Sequence, residues 1–392
     1  MTDIRHRKAD SNFITDLRRI CESTNINFLL GAGCSMPAFK TLGNIEELRT
    51  KLKEDDKLDL CERKLIQASL DATFFKLSIL PNAEYIASEK SIDNIYKTKN
   101  NYKLFCSSAM SLVKIRESPL LPKQVSFFVS NYDLCMDYAL DQATIPTNRG
   151  YVGHFNKQIV LENFGRRFSS NTLTFGYQSE IASANLVKIH GCISWINEGN
   201  ALLFRDPVES LNSTTSLIGA SDLIKVNSND QEIEKEYERL KKEASNKYFS
   251  DFYEKKFDEI IATIGKFQIV LPNKEKFAST VLNENYYAQL RRLTNQLEVR
   301  NSVLLVIGFS FADEHIRKLI IRAANINPTL HVIVFCYSEE SEKDIIRNLN
   351  KDLHQLINNN ITTVTGTKQQ NASGCEPLDL ETVANLLKKV TH

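Results

Sequence analysis

The sequence predicts an α/β fold: a Rossmann-like, doubly wound, mostly parallel sheet with an inserted helical subdomain. Three observations predict it. Short apolar runs near residues 27, 126, 187, 268, 304 and 333 alternate with stretches of helical periodicity. Most of these runs are continuously apolar rather than alternating, the pattern of strands covered by helices on both faces. Four of them end in Gly, Asn/Asp, His and Gly/Ser, the small and polar residues expected where an open α/β sheet receives its ligand.

Length and composition agree. The chain has 392 residues, 42% hydrophobic and 25% charged, and a globular chain of this size buries a core without disulfide staples. At about 100–200 residues per domain, one large domain or two modest ones are expected. No linker rich in Gly, Ser or Pro and no internal repeat divides the sequence. We therefore read 1–392 as a single domain, with a helical insertion at 57–118, a charged helical segment at 205–266 and a C-terminal extension at 341–392. Lys plus Arg total 49 and Asp plus Glu total 48, a net charge of +1. Bulk charge thus gives no argument for non-specific binding to nucleic acid or membrane, and direct nucleic-acid contact through a local patch stays open. Apolar runs such as 303–309 and 332–336 fall well short of the ~20 residues that cross a bilayer. Met1 to Asp10 is polar, with no apolar signal core behind it, so a cytoplasmic protein without membrane contact is expected. Eight cysteines contain no Cys-x-x-Cys pair, which fits reduced, mostly buried thiols and no metal site.

Taken in order, Ser11 to Cys21 reads as a helix capped by Ser11, with Phe13, Ile14, Leu17 and Ile20 at helical spacing. Ile26 to Leu30 is a strand that runs into Gly31-Ala32-Gly33-Cys34-Ser35. A helix after Gly43 carries Ile45, Leu48 and Leu52. Lys57 to Ser118 is helical, polar and poor in glycine, with no chemical motif. Val125 to Val129 is a strand leading to Ser130-Asn131-Tyr132-Asp133 and a helix over Leu134 to Leu140. Pro146 to Tyr177 reads as loops and short strands. Leu186 to Ile189 is a strand ending at His190-Gly191, with Cys192 to Trp195 extended and Ala201 to Phe204 its hairpin partner. Asn229 to Lys266 is charge-dense, with Ile233, Tyr237, Leu240 and Ala244 on one face. It reads as a solvated helix pair, a protein-contact helix being the alternative. Phe267 to Leu271 is a strand and Phe277 to Leu297 an amphipathic helix. Ser302 to Ile307 is a strand ending in Gly308-Phe309-Ser310-Phe311. A helix over Asp313 to Ala324 and a strand over His331 to Tyr337 complete the pattern.

Each motif has a structural reading beside a chemical one. Gly31-Ala32-Gly33 can bring backbone N–H groups close to a pyrophosphate or simply make a tight turn, and the third Rossmann glycine is missing. Asn131 and Asp133 offer an amide and a carboxylate to one crevice, or form an Asx turn ahead of a helix. His190 has the chemistry to move a proton near neutral pH, or is a structural histidine. Ser310 or Asp313 can cap the helix that follows.

In this order the motifs identify a resemblance. Gly31-Ala32-Gly33-Cys34-Ser35, Ser130-Asn131-Tyr132-Asp133, Lys188-Ile189-His190-Gly191 and Val306-Ile307-Gly308-Phe309-Ser310-Phe311-Ala312-Asp313-Glu314-His315 resemble the sirtuin superfamily, in its prokaryotic defence branch. The stretch from Leu271-Pro272-Asn273-Lys274 to Asn285-Tyr286-Tyr287 is similar to this branch too, so the resemblance spans about residues 25–340. It implies a sheet that binds NAD, with Gly31, Ala32, Gly33, Cys34 and Ser35 cradling the pyrophosphate. It implies that Asn131 lies beside the nicotinamide ribose, that Asp133 holds the nicotinamide end, and that His190 is the catalytic histidine. Gly308, Phe309 and Ser310, with Asp313 beyond them, match the loop at the adenosine ribose and phosphate. Deacylating sirtuins carry a zinc ribbon of two Cys-x-x-Cys pairs after the His-Gly motif. Here Cys192 is followed by no cysteine until Cys336, so no zinc is expected and a histone-like deacylase is disfavoured. The loop after Ser35 also departs from the deacylase pattern, and Met36, Pro37 and Phe39 receive no role.

The resemblance then implies an NAD glycohydrolase in which water is the nucleophile and nicotinamide and ADP-ribose are the products. It implies an antiphage effector that depletes NAD as a large homo-oligomer beside a HerA-type hexameric ATPase, with 57–118 and 229–266 as contact surfaces. Two other readings stand against it: an NAD-dependent ADP-ribosyltransferase or zinc-free deacylase, and a non-catalytic NAD-binding scaffold of an ATPase or nuclease complex. No acidic cluster with metal-ligand spacing supports a nuclease.

Overall fold

The computed structural model describes residues 4–40, 43–87, 93–114, 116, 120–171, 176–198, 201–228, 232–247, 251–269, 284–352, 356–367 and 375–391. Its strands, in chain order, are β1 (Arg5–Lys8), β2 (Asn25–Leu30), β3 (Gln124–Val129), β4 (Thr147–Asn148), β5 (Tyr151–Val152), β6 (Gln158–Ile159), β7 (Ser169–Asn171), β8 (Gln178–Glu180), β9 (Ser183–Lys188), β10 (Trp195–Glu198), β11 (Ala201–Phe204), β12 (Ser302–Ile307), β13 (Leu330–Phe335) and β14 (Ile361–Thr365). Eight of them form one sheet in the order β1-β14-β13-β12-β2-β3-β9-β4. Every pairing within it is parallel. From β2 the chain moves outward through β3 to β9, returns to β12 on the other side of β2, and moves outward through β13 to β14. The sheet is therefore doubly wound, and its order reverses between β2 and β12, where ligands bind in such sheets.

The central strands are apolar at successive positions because both faces of the sheet are buried. On β2, Ile26, Phe28 and Leu30 enter one core and Leu29 the other, while on β12 Val303, Leu305 and Ile307 separate from Leu304 and Val306 in the same way. Each such aliphatic side chain stabilises the fold by about 1.5–3 kcal/mol relative to exposure. The first core is closed by the helices Ser11–Ser23, Asp93–Lys114, Cys135–Gln142 and Leu380–Val390. The second is closed by Glu284–Glu298, Glu314–Ile326 and Glu339–Asn350.

A third core lies over the C-terminal ends of β3 and β9. Leu48, Leu65, Phe74, Leu240, Phe257 and Ile260 come from the helices Ile45–Glu54, Leu60–Phe74, Ile233–Ser245 and Asp251–Gly265. They pack with Tyr132, Cys192, Ile193, Trp195 and Tyr286. The charge-dense helix pair is thus amphipathic rather than wholly solvated: Tyr237, Leu240 and Ala244 are buried while Glu234, Lys235 and Glu238 are exposed. The helices of 57–118 divide between cores. Leu60–Phe74 packs on Asp251–Gly265, whereas Asp93–Lys114 packs on β3 and on Leu380–Val390.

Several local expectations change. Asp10, not Ser11, caps the first helix, its carboxylate accepting from the Phe13 N–H. Of the run at 267–271, the described residues 267–269 form no strand of the large sheet: Ile269 makes one isolated antiparallel bridge with Gly191, and 270–271 lie outside the described residues. The helix expected from Phe277 is described over Glu284–Glu298, 277–283 being outside. β1 and β14 were not anticipated. β1 reads Arg-His-Arg-Lys, charged residues that suit the solvent-facing edge of a sheet.

Candidate active site

At the switch point two glycine loops meet backbone to backbone. The Gly31 N–H donates to the Ile307 carbonyl and the Gly33 N–H to the Gly308 carbonyl, each at 3.0 Å. A Cβ on Gly31 would stand 2.4 Å from the Gly308 oxygen; on Gly308, whose φ is +63°, it would stand 2.5 Å from the Cys34 nitrogen. These glycines are required by the approach of the two loops to each other. Ala32 and Gly33 remain exposed at the crevice, while Cys34 and Ser35 turn inward. The Cys34 thiol meets the Ile307 carbonyl at 3.1 Å, and burial pushes its pKa far up, so it is an inert thiol. Gly308→Ala is expected to lower the unfolding midpoint in calorimetry. The left-handed backbone alone costs a β-carbon about 1–3 kcal/mol, before the Cys34 turn is displaced; an unchanged midpoint would show that the loops part without cost.

Ser35 is the hub of a buried network. Its hydroxyl donates to Asp133 Oδ2 at 2.6 Å, because a carboxylate only accepts. It accepts from the Asn131 amide at 3.0 Å and from the Tyr102 hydroxyl at 2.8 Å. Burial, and then the nearby Asp133 charge, push the Tyr102 hydroxyl well up, so it stays a donor. The second Asn131 amide hydrogen goes to the Gly31 carbonyl at 3.0 Å. With both hydrogens committed, the amide is fixed and Oδ1 is the atom it has left to offer a ligand. Asp133 Oδ1 accepts from the Cys135 N–H at 3.1 Å. The Asx turn anticipated from sequence is therefore present, and the carboxylate faces Ser35 rather than the open crevice.

Lys188 supports this loop from below. Its ammonium donates to the Asp133 carbonyl at 2.5 Å and pairs with Asp137 at 2.8 Å. Burial works against its charge, but Asp137 foremost outweighs burial and holds the ammonium above its ordinary range. Arg149 holds the other Asp137 oxygen at 3.5 Å.

His190 sits two residues past the end of the Lys188 strand. Nδ1 donates to the Ser130 carbonyl at 3.1 Å, and Nε2 lies 3.2 Å from Asp313 Oδ2. Ser130 directly precedes Asn131, so one peptide joins the two candidate residues. The ring lies 6.4 Å from that of Tyr132. Gly191, with φ +85°, passes so close to Gln268 that a Cβ would stand 2.1 Å from its carbonyl oxygen and 2.9 Å from the Tyr286 ring. Tyr286 belongs to the stretch singled out from sequence; Leu271 to Lys274 of that stretch lie outside the described residues.

Beyond β12, Gly308 and Ser310 are exposed and Phe309 is buried against Phe311. Asp313, not Ser310, caps the helix Glu314–Ile326, its Oδ1 accepting from the His315 and Ile316 N–H groups. The fold thus brings the ends of β2, β3, β9 and β12 to one crevice. Tyr102, Asp137 and Arg149 carry no local motif, and sequence reasoning missed them. Lys188 stood in a quoted motif without a role. Among the described residues no group of three or more His, Cys, Asp or Glu side chains is placed to hold a metal. No helix among them is long and apolar enough to cross a membrane. An open hollow lined by Asp206, Val208, Glu209, Asn212, Ser213 and Ser216 shares no residue with the crevice.

A protein-family model described as a SIR2-like domain matches residues 125–357. The match includes Asn131, His190 and Asp313 and begins after the Gly31–Ser35 turn. No curated protein matches the chain. A solved structure described as "Structural Basis for the Mechanism and Regulation of Sir2 Enzymes" is similar at 11% identity and a TM-score of 0.34, over 87% of this chain and 98% of that one.

Proposed function

The chain belongs to the SIR2-like domain family, and from that premise we propose that it is an NAD hydrolase, cleaving the nicotinamide–ribose bond to give nicotinamide and ADP-ribose. The observation that carries this reading is the juxtaposition of a fixed amide and an imidazole, Asn131 and His190, joined through the Ser130 carbonyl at the switch point of the sheet.

The chemistry follows from the bond. The nicotinamide nitrogen of NAD is cationic, so it leaves with the bonding electron pair as neutral nicotinamide. The ribose carbon passes through an oxocarbenium-like state, as in glycoside cleavage. Water forms the new C–O bond and releases one proton. Asn131, its amide hydrogens held by Gly31 and Ser35, would orient the water or a ribose hydroxyl through Oδ1. His190 would accept the proton and pass it to solvent. The exposed Ala32-Gly33 turn would lie along the pyrophosphate, with Gly308 and Ser310 at the adenosine side. The absence of paired cysteines after Cys192 supports water over an acyl-peptide as the acceptor.

We place this activity in antiphage defence, as an oligomeric NAD-depleting subunit with a HerA-type ATPase, on the strength of the motif resemblance. Incubating NAD with the purified chain, alone and with such an ATPase, and separating the products tests both. Nicotinamide with equimolar ADP-ribose is expected. Label transferred onto protein would instead make the chain a transferase. NAD bound but intact under every condition would make it a nucleotide-binding scaffold.

A further inference from the structure

His190 is held at both ring nitrogens, and its two holders come from opposite halves of the sheet. Ser130 follows β3; Asp313 lies six residues past β12, across the switch point. We infer that Asp313 is the positioning residue of His190, orienting the imidazole and stabilising the protonated ring that proton acceptance creates. This role rests on the NAD-cleaving reading above and differs from the adenosine-side role implied by the sequence motif.

The geometry supplies the argument. One Asp313 oxygen is anchored by two backbone N–H groups, those of His315 and Ile316, at 3.0 and 3.1 Å. A carboxylate at a helix N-terminus is both hydrogen-bonded and favoured by the helix dipole. The anchored carboxylate offers its second oxygen to Nε2 at 3.2 Å, with the two side chains only 12% and 10% exposed. Shielding from water strengthens such a charge-assisted contact. The Ser130 carbonyl and the Asp313 carboxylate only accept, so both contacts together take a proton on each ring nitrogen. That is the form His190 reaches when it has taken a proton from water or a ribose hydroxyl. In the neutral ring Nδ1 keeps its proton on the Ser130 carbonyl and Nε2 is bare, with its carboxylate contact open; Nε2 takes the incoming proton and, once it carries it, donates to Asp313. No covalent step is involved; the proton moves from the hydroxyl to Nε2 and then to solvent.

A helix cap with no further role would leave the same geometry, so the test separates the two. Serine and asparagine cap helices about as well as aspartate, but the serine hydroxyl is too short to reach Nε2 and asparagine reaches it without charge. Asp313→Ser is expected to melt close to the parent while kcat for NAD hydrolysis falls about 10²-fold and KM changes little. Asp313→Asn is expected to fall less. Parent-like kcat in Asp313→Ser would overturn the inference. A readout independent of turnover is the histidine N–H spectrum of protein labelled with 15N at its seven histidines. With the ring protonated at acid pH, a slowly exchanging, far-downfield Nε2–H proton is expected in the parent and absent from both Asp313→Ser and His190→Gln. If the parent hydrolyses no NAD, the functional reading fails while this signal still decides the Asp313–His190 contact; its absence from the parent would overturn the contact itself.

Discussion

Replacing Asn131 with alanine, or His190 with glutamine, is expected to lower kcat for NAD hydrolysis by about 10²–10⁴-fold while leaving a folded protein. That range is what a positioned proton acceptor commonly contributes. His190→Gln keeps a polar side chain between Ser130 and Asp313 but removes the exchangeable proton site. Asn131→Ala removes the group that would orient the attacking water and leaves the Gly31 carbonyl and one Ser35 lone pair unfilled. Each lost neutral hydrogen bond costs about 1 kcal/mol, so a small fall in melting temperature is expected alongside the kinetic one. Asn131→Asp is the sharper variant. It has the shape of asparagine but turns a carboxylate oxygen toward the Gly31 carbonyl and brings a second charge beside Asp133. It should cost more stability than alanine despite being isosteric. Single-turnover product formation with saturating NAD, measured beside circular dichroism melts, checks all three. Full hydrolysis by folded Asn131→Ala and His190→Gln would remove the mechanism.

Why these residues were legible and their supports were not follows from where the chemistry sits. The central strands β2, β3, β9, β12 and β13 announce themselves because both sheet faces are buried, which forces apolar residues at successive positions. The turns that follow announce themselves because a crevice at strand ends needs small and polar residues. β1 escaped notice because an edge strand is freed from burial, and Arg-His-Arg-Lys carries no strand pattern. Ile361 to Thr365 joins the sheet between β13 and β1 although three of its five residues are threonine. Tyr102 escaped notice because it lies on a helix whose pattern reads only as packing, and its hydroxyl reaches Ser35 from 67 residues away. The pairing of His190 with Asp313 spans two sheet halves, and no spacing rule links them. Asp313 was visible as a cap and as a motif residue; the structure adds that one carboxylate performs the capping and meets the histidine at once. The glycines make the opposite lesson. They read as a phosphate cradle, and the structure shows that Gly31 and Gly308 are also required by each other.

Replacing Lys188 with methionine is expected to be among the most damaging single changes to stability. Methionine keeps most of the length and apolar volume, so the loss isolates the charge. Lys188 is 3% exposed, paired with Asp137 and donating to the Asp133 carbonyl. Removing one partner of a buried pair leaves an uncompensated charge and costs about 3–5 kcal/mol. Arg149, 3.5 Å from the other Asp137 oxygen, should hold the loss toward the lower end. Lys188→Met with Asp137→Asn should recover part of it, since the stranded charge is gone, and a double-mutant cycle in denaturant measures the coupling. The pH dependence has a definite sign. The folded pKa of Lys188 is raised above its ordinary value of 10.5, so its contribution is fully present below 10.5 and is lost as pH rises through the higher folded value. The stability gap between parent and Lys188→Met should therefore stay constant from neutral pH to about 10 and close only in stronger alkali. A gap that closed near neutral pH would mean that Lys188 is not held charged by Asp137. Below the melting range the same variant should hydrolyse NAD more slowly, because the Asp133 carbonyl that Lys188 holds is part of the loop that aims Asn131. Slow hydrolysis in the single variant that persists in the double, although stability returns, would assign Lys188 to the placement of that loop. Recovery of both together would assign it to stability alone.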